Sequence, residues 1–160
     1  MKITFRKEYT THMPMLIKCV QASEGPVMEC GAGLASTPLL HWLCHEKKRP
    51  LWSFEEKEEF YNYARKFQSR FHRIRLVDFK NFKVDGHWGV ALIDQSTRAR
   101  RPTILYLKDK VDYIVIHDTQ KEEVYHYEKI WKHFKYVHHW KGCSPWTSVV
   151  SNFKDLSFLK

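Results

Sequence analysis

The stretch GPVMECGAGLASTPLLHWLC, Gly25 to Cys44, decides how this chain is read. After Gly25-Pro26, the apolar run through Cys30 has the composition of a short buried strand. Glu29 ends that strand. Gly31 and Gly33 flank one small residue, and a helix follows, with Thr37 as a good N-cap and Pro38 suited to its first position. Glycines let the backbone turn tightly and approach a ligand with no side chain between. A helix start offers free N–H groups to an anion. Strand, acid, Gly-x-Gly and helix together make a candidate cofactor turn.

The same alternation continues outward. Residues 13–22 read as a short helix with Pro14 in its first turn, and residues 1–24 form an N-terminal helical segment before a core of residues 25–160. PLWSF is a second strand and EEKEEFYNYARKFQ a second helix, with Phe60, Tyr63, Ala64 and Phe67 on one face. RIRLVDF is a third strand. WGVALID is a fourth, apolar enough for burial on both faces. RPTILYLKDK reads as a short helix or turn, VDYIVIHD as the fifth strand and VYHYEKIWKHF as a helix. KYVHHW and WTSVVSNF flank a Gly142–Pro145 turn and form a hairpin. The expected fold is a single α/β domain, a mostly parallel sheet in a three-layer sandwich closed by an antiparallel hairpin. Ligands of such sheets bind at the carboxyl ends of the strands. The residues there are Glu29, Glu55, Asp78, Asp94, His117 and Asp118.

Bulk properties narrow the class. The chain has 160 residues, enough for one domain with one sizeable core. It is 43% hydrophobic and 28% charged, the balance of a globular chain. No apolar run approaches the roughly 20 residues that span a bilayer, and the charged N-terminus carries no signal-peptide core. A soluble cytoplasmic protein without membrane partners is expected. Cys19, Cys30, Cys44 and Cys143 show no close Cys-x-x-Cys spacing. The net charge of +9 invites an anionic partner, nucleic acid included, although the basic residues are spread along the chain.

Two cofactor classes use a glycine turn between strand and helix. A dinucleotide fingerprint, Gly-x-Gly-x-x-Gly, would need glycine where Ser36 stands, and Glu29 adds negative charge beside a pyrophosphate. VMECGAGLA instead resembles the first motif of the Rossmann-like class I S-adenosylmethionine-dependent methyltransferases, an apolar strand, Glu or Asp, then Gly-x-Gly-x-Gly, here with Ala35 at the third glycine. The resemblance runs from about Val27 to Phe153 and includes the closing hairpin. It implies S-adenosylmethionine as cofactor, with Glu29, Gly31, Gly33 and Ser36 around the turn. Glu55 would hold the ribose hydroxyls, with Glu56 as second choice, and Asp78 would face the adenine. Asp94 matches the motif after strand four.

Methyl transfer needs an aligned acceptor and sometimes a base. Asp94, His117 and Asp118 are the candidates, His117 as base because of its intrinsic pKa. Arg98, Arg100 and Arg101 would stand at the mouth of the site, able to grip a phosphate or carboxylate. In catechol-type relatives of this fold, acids placed like Asp94 and Asp118 hold a divalent metal. Thr119 stands where those enzymes carry a further Asp or Asn, and no metal is assigned. His12 could line the site from the segment before the first helix, where Thr10 or Thr11 would serve as cap. His41 and His45, at i and i+4, lack a third ligand. The expected activity is methyl transfer to an unidentified acceptor, an anionic one being favoured by charge. A degenerate binding module of the same fold and a basic nucleic-acid-binding protein stay open. The sequence leaves the oligomeric state undetermined.

Overall fold

The computed structural model describes residues 5–160. Seven strands form one sheet: β1 (Val27–Cys30), β2 (Leu51–Glu55), β3 (His72–Leu76), β4 (Trp88–Ile93), β5 (Val111–His117), β6 (Tyr136–Trp140) and β7 (Thr147–Ser151). Their order is β3-β2-β1-β4-β5-β7-β6. The first five pair in parallel; β7 lies antiparallel to both β5 and β6. This is the expected sheet with its antiparallel close.

Period-two alternation divides the core between the two faces. Val27, Leu51, Val90, Leu92 and Val115 point to one side. There they meet Met15, Leu16 and Val20 of α1 (Met13–Gln21) and Leu40 and Cys44 of α2 (Ser36–Glu46). Met28, Cys30, Ala91, Ile93, Ile114 and Ile116 point to the other, against Ile104 and Leu107 of α4 (Thr97–Leu107). Helices thus cover both faces. The crossover between β2 and β3 is α3 (Glu58–Ala64) followed by a 3₁₀ turn at Arg65–Phe67.

Four local expectations are corrected. Thr37 is not the N-cap: α2 starts at Ser36 with Ala35 as its cap residue, and the Thr37 hydroxyl turns inward to Glu29 at 3.0 Å. Likewise neither Thr10 nor Thr11 caps α1, whose N-cap position is His12. The segment before β5 is a helix that begins at Thr97, ahead of the run RPTILYLKDK read as a short helix or turn, and takes in Arg98–Arg101 with Pro102 inside it. The helix after β5 is broken into α5 (Glu122–Tyr125) and α6 (Glu128–Trp131), because His126 between them has φ +53°. No helix among the described residues is long and apolar enough to cross a membrane.

Candidate functional site

The carboxyl ends of β1, β2, β4 and β5 open into one cleft of about 730 Å³, within the size range of small-molecule sites. Its floor at β1 is the Gly31–Ser36 turn. Gly31 has φ +94°, and a Cβ there would lie 2.4 Å from the Gln95 backbone nitrogen. Only glycine lets the turn after β1 close against the turn after β4. Ala32, Gly33 and Ser36 face the cleft; Gly31 lies beneath it.

Glu29 is fully buried behind this turn and does not line the cleft. Both its oxygens accept from the Thr37 hydroxyl at 3.0 Å, and one also accepts a short bond from Ser53. Thr37 in turn accepts from the Gly33 N–H at 3.0 Å. Burial pushes the Glu29 carboxyl up to about 7, against the lowering effect of the Ser36, Ser53 and Thr37 hydroxyls. Glu29 thus braces the turn from behind. Ser53 links it onward to His72 at 2.8 Å and, through His72, to His41 at 3.2 Å. His41 is therefore occupied within the fold.

Glu55 ends β2 inside the cleft. Its Oε2 accepts from the Ala32 N–H and its Oε1 from the N–H groups of Glu56 and Lys57, all at 2.8 Å. Burial raises its pKa, and these three bonds oppose the rise. A carboxylate has about four acceptor positions, so three donors fix its orientation and leave one for a ligand. Glu56, Lys57 and Phe60 line the same end, and Glu56 Oε1 is buried without a partner. Asp78 lies elsewhere. β3 ends at Leu76, and exposed Asp78 accepts from Lys80 N and Asn81 Nδ2, both at 3.0 Å, capping a 3₁₀ turn outside the cleft.

At the other end stand Asp94, His117 and Asp118, brought together as neighbours. Asp94 Oδ1 lies 3.1 Å from His117 Nδ1 and 2.7 Å from Arg100 Nη2. Burial would raise the Asp94 pKa, but the His117 hydrogen bond and the Arg100 charge outweigh it and hold the group near 2. Arg100 is 4% exposed, where sequence placed it at the mouth. It donates to the carbonyls of Asp94, Gln95 and His117, and its guanidinium lies 3.6 Å from Asp118. One internal cation thus bridges the two acids considered for a metal. His12, Asp94 and His117 also bring ligand-type atoms within 4.8 Å of one another. With Arg100 already on Asp94, a dication there would meet a buried like charge.

Several residues at the cleft escaped the sequence reading, whereas His12, expected to line the site, lies behind it. The segment Arg6–Tyr9 forms a wall, and Thr11 places its hydroxyl 2.9 Å from His117 Nε2. His12 is 1% exposed behind the cleft, its ring 4.8 Å from that of His117 and both nitrogens unpartnered. Desolvation lowers its pKa to about 4. The Gln95 amide is buried at the cleft with neither end paired. Ser144 and Pro145, from the hairpin turn, close the far rim. Arg98 is exposed and, with Arg101, takes no part in the lining.

No protein-family model matches the chain, and no curated protein does. Solved structures do. The N-terminal domain of human METTL16 in complex with SAH aligns at TM-score 0.62 and 12% identity, covering 96% of this chain and 73% of that one. The N-methyltransferase NodS from Bradyrhizobium japonicum, also with S-adenosyl-L-homocysteine, aligns at 0.61 and 12%, covering 87% and 83%. An rRNA methylase from Streptococcus thermophilus aligns at 0.60 and 11%, covering 96% and 100%. The chain therefore has the fold of class I S-adenosylmethionine-dependent methyltransferases.

Proposed function

We propose that the protein is an S-adenosylmethionine-dependent methyltransferase. The observation that carries this reading is Glu55, a carboxylate pinned in the cleft by three backbone N–H groups, opposite a glycine turn in this fold. Its remaining acceptor position suits a ribose hydroxyl. The residues fit the cofactor in other respects too. Ala32–Ser36 present an open backbone turn, and the buried unpartnered Glu56 Oε1 and Gln95 amide are polar groups waiting for a ligand. When bound, S-adenosylmethionine supplies a methyl group activated by a positively charged sulfur.

Asp94, His117 and Asp118 serve the acceptor. Asp94, kept ionised, takes the His117 Nδ1 proton in a hydrogen bond, which leaves Nε2 as the acceptor nitrogen. In the structure Nε2 faces the Thr11 hydroxyl. An acceptor X–H group taking that hydroxyl's place would be held by His117 Nε2, which is placed to receive its proton. Asp118, between Lys121 at 3.1 Å and Arg100, helps fix the acceptor's position. One neighbour is named an N-methyltransferase and another an rRNA methylase, and neither name sets this chain's acceptor. Its basic charge favours an anionic one.

Calorimetric titration with S-adenosylmethionine, S-adenosylhomocysteine and NAD tests the reading. We expect the first two to bind and NAD not to. Glu55→Ala should weaken both at least tenfold, the cost of about one charge-assisted hydrogen bond. If neither methyl-cycle ligand binds the folded protein, the reading falls.

A further inference from the structure

β3 is one edge of the sheet, paired only with β2. Along it runs a second groove of about 700 Å³, lined by Tyr61, Gln68, Arg70, Arg73, Arg75 and Leu76 among others. The chain around this groove is unusual in charge. Between Phe60 and Val77 there is no acid, while Arg65, Lys66, Arg70, Arg73 and Arg75 all occur and all are exposed. Arg73 and Arg75, two apart on a strand, face the same side. Their guanidinium carbons lie 5.0 and 5.3 Å from the centre of the Trp52 ring, and that of Arg70 lies 4.5 Å from Phe71. None of the three has an acidic partner among the described residues.

Stacking on a ring orients a guanidinium while leaving its five N–H donors free. Charges on an edge strand also discourage strand pairing between molecules. That purpose needs one or two cations on the strand itself, and it explains neither Arg70, Arg65 and Lys66 nor the groove. Three oriented, unpaired guanidiniums in a groove with a tyrosine match a chain of phosphates whose bases can stack. We propose that the β3-edge groove binds the backbone of single-stranded nucleic acid. α3 separates it from the cleft, with Phe60 lining the cleft and Tyr61 the groove. The groove does not depend on the methyltransferase reading, and its test uses a different ligand.

The test is fluorescence anisotropy with a fluorescein-labelled single-stranded RNA of about 20 nucleotides and mixed sequence, titrated across a range of salt. Wild type should bind, with affinity falling steeply as salt rises, because phosphate contacts release counterions. Arg73→Glu with Arg75→Glu should weaken binding at least tenfold and flatten the log–log salt slope by about 1.5, the share of two phosphates on a single strand. Lys129→Glu with Lys132→Glu makes the same charge change on α6 and at its C-cap, toward the opposite edge, and should leave affinity within about threefold. If the glutamate pair at β3 fails to fold by circular dichroism, Arg73→Gln with Arg75→Gln serves in its place, with at least fivefold weakening expected. Absence of RNA binding at low salt, or equal loss in the β3 and α6 variants, overturns the proposal.

Discussion

Glu29→Gln should make the protein's stability respond to pH in a way that can be calculated beforehand. The carboxyl is fully buried and sits up at about 7, against an ordinary value of 4.5 in the unfolded chain. Below about pH 4.5 it is protonated in both states. As pH rises, the unfolded chain loses this proton first, so the stability that the protonated form contributes drains away until pH passes about 7. One unit of pKa difference corresponds to about 1.4 kcal/mol. Between pH 5 and pH 8 the loss from this one group comes to roughly 2 to 3 kcal/mol. Glutamine has the shape of the protonated acid, and the hydroxyls of Thr37 and Ser53 can rotate to meet its amide. The variant lacks the titration and escapes the loss. Urea unfolding of both proteins at pH 5 and pH 8 isolates this term, because every other titrating group is common to both. The variant should gain about 2 to 3 kcal/mol on wild type between the two pH values. A gain below about 1 kcal/mol would refute the reasoning, since Glu29 would then ionise in the native state as easily as in water.

Two further outcomes follow from geometry. Gly31→Ala combines a positive φ with a Cβ driven into the Gln95 backbone. It should cost more than about 3 kcal/mol in thermal or urea unfolding, or prevent folding. Of the four thiols, Cys19, Cys30 and Cys44 are buried and Cys143 is exposed. Burial raises the first three, Cys44 to about 11 and the others beyond it. Ellman's reagent should therefore titrate one thiol quickly in the native protein and four in denaturant, and Cys143→Ser should abolish the fast reaction.

The sheet was legible because its signals are local. Apolar or alternating runs of four to seven residues, closed at the five parallel strands by an acid or a glycine, mark strands whatever lies around them. Glu29 was found by the same logic, but which way it points was not. Val27 and Glu29 share the face that α2 covers, so the acid turns toward Thr37 and Ser53 instead of the cleft. Asp78 was misplaced because β3 stops at Leu76, three residues short of the run RIRLVDF, and the chain turns away at Asp78 itself. Arg100 was read as one charge in the run RARRP, which looks like surface. Only the neighbouring ends of β4 and β5, supplied by the fold, give its guanidinium three carbonyls and a carboxylate to bind. Thr11 meets His117 across most of the chain's length, and no pattern in the sequence links them. His12 was placed near the site by its position before the first helix, but its burial behind the cleft against the His117 ring was not legible.

The contacts of Arg100 also divide the cleft into a chassis and its fittings. One side chain bolts the carbonyls just past β4 to the last carbonyl of β5, and so holds Asp94 and His117 at their spacing. The Arg6–Tyr9 wall and the Ser144–Pro145 turn reach the cleft from outside that frame. Altered substrate choice, whether by natural drift or by directed evolution, is then expected to accumulate in those two pieces. Libraries that randomise them while sparing Arg100 should keep a far larger share of folded members than libraries of equal size drawn from the strand ends.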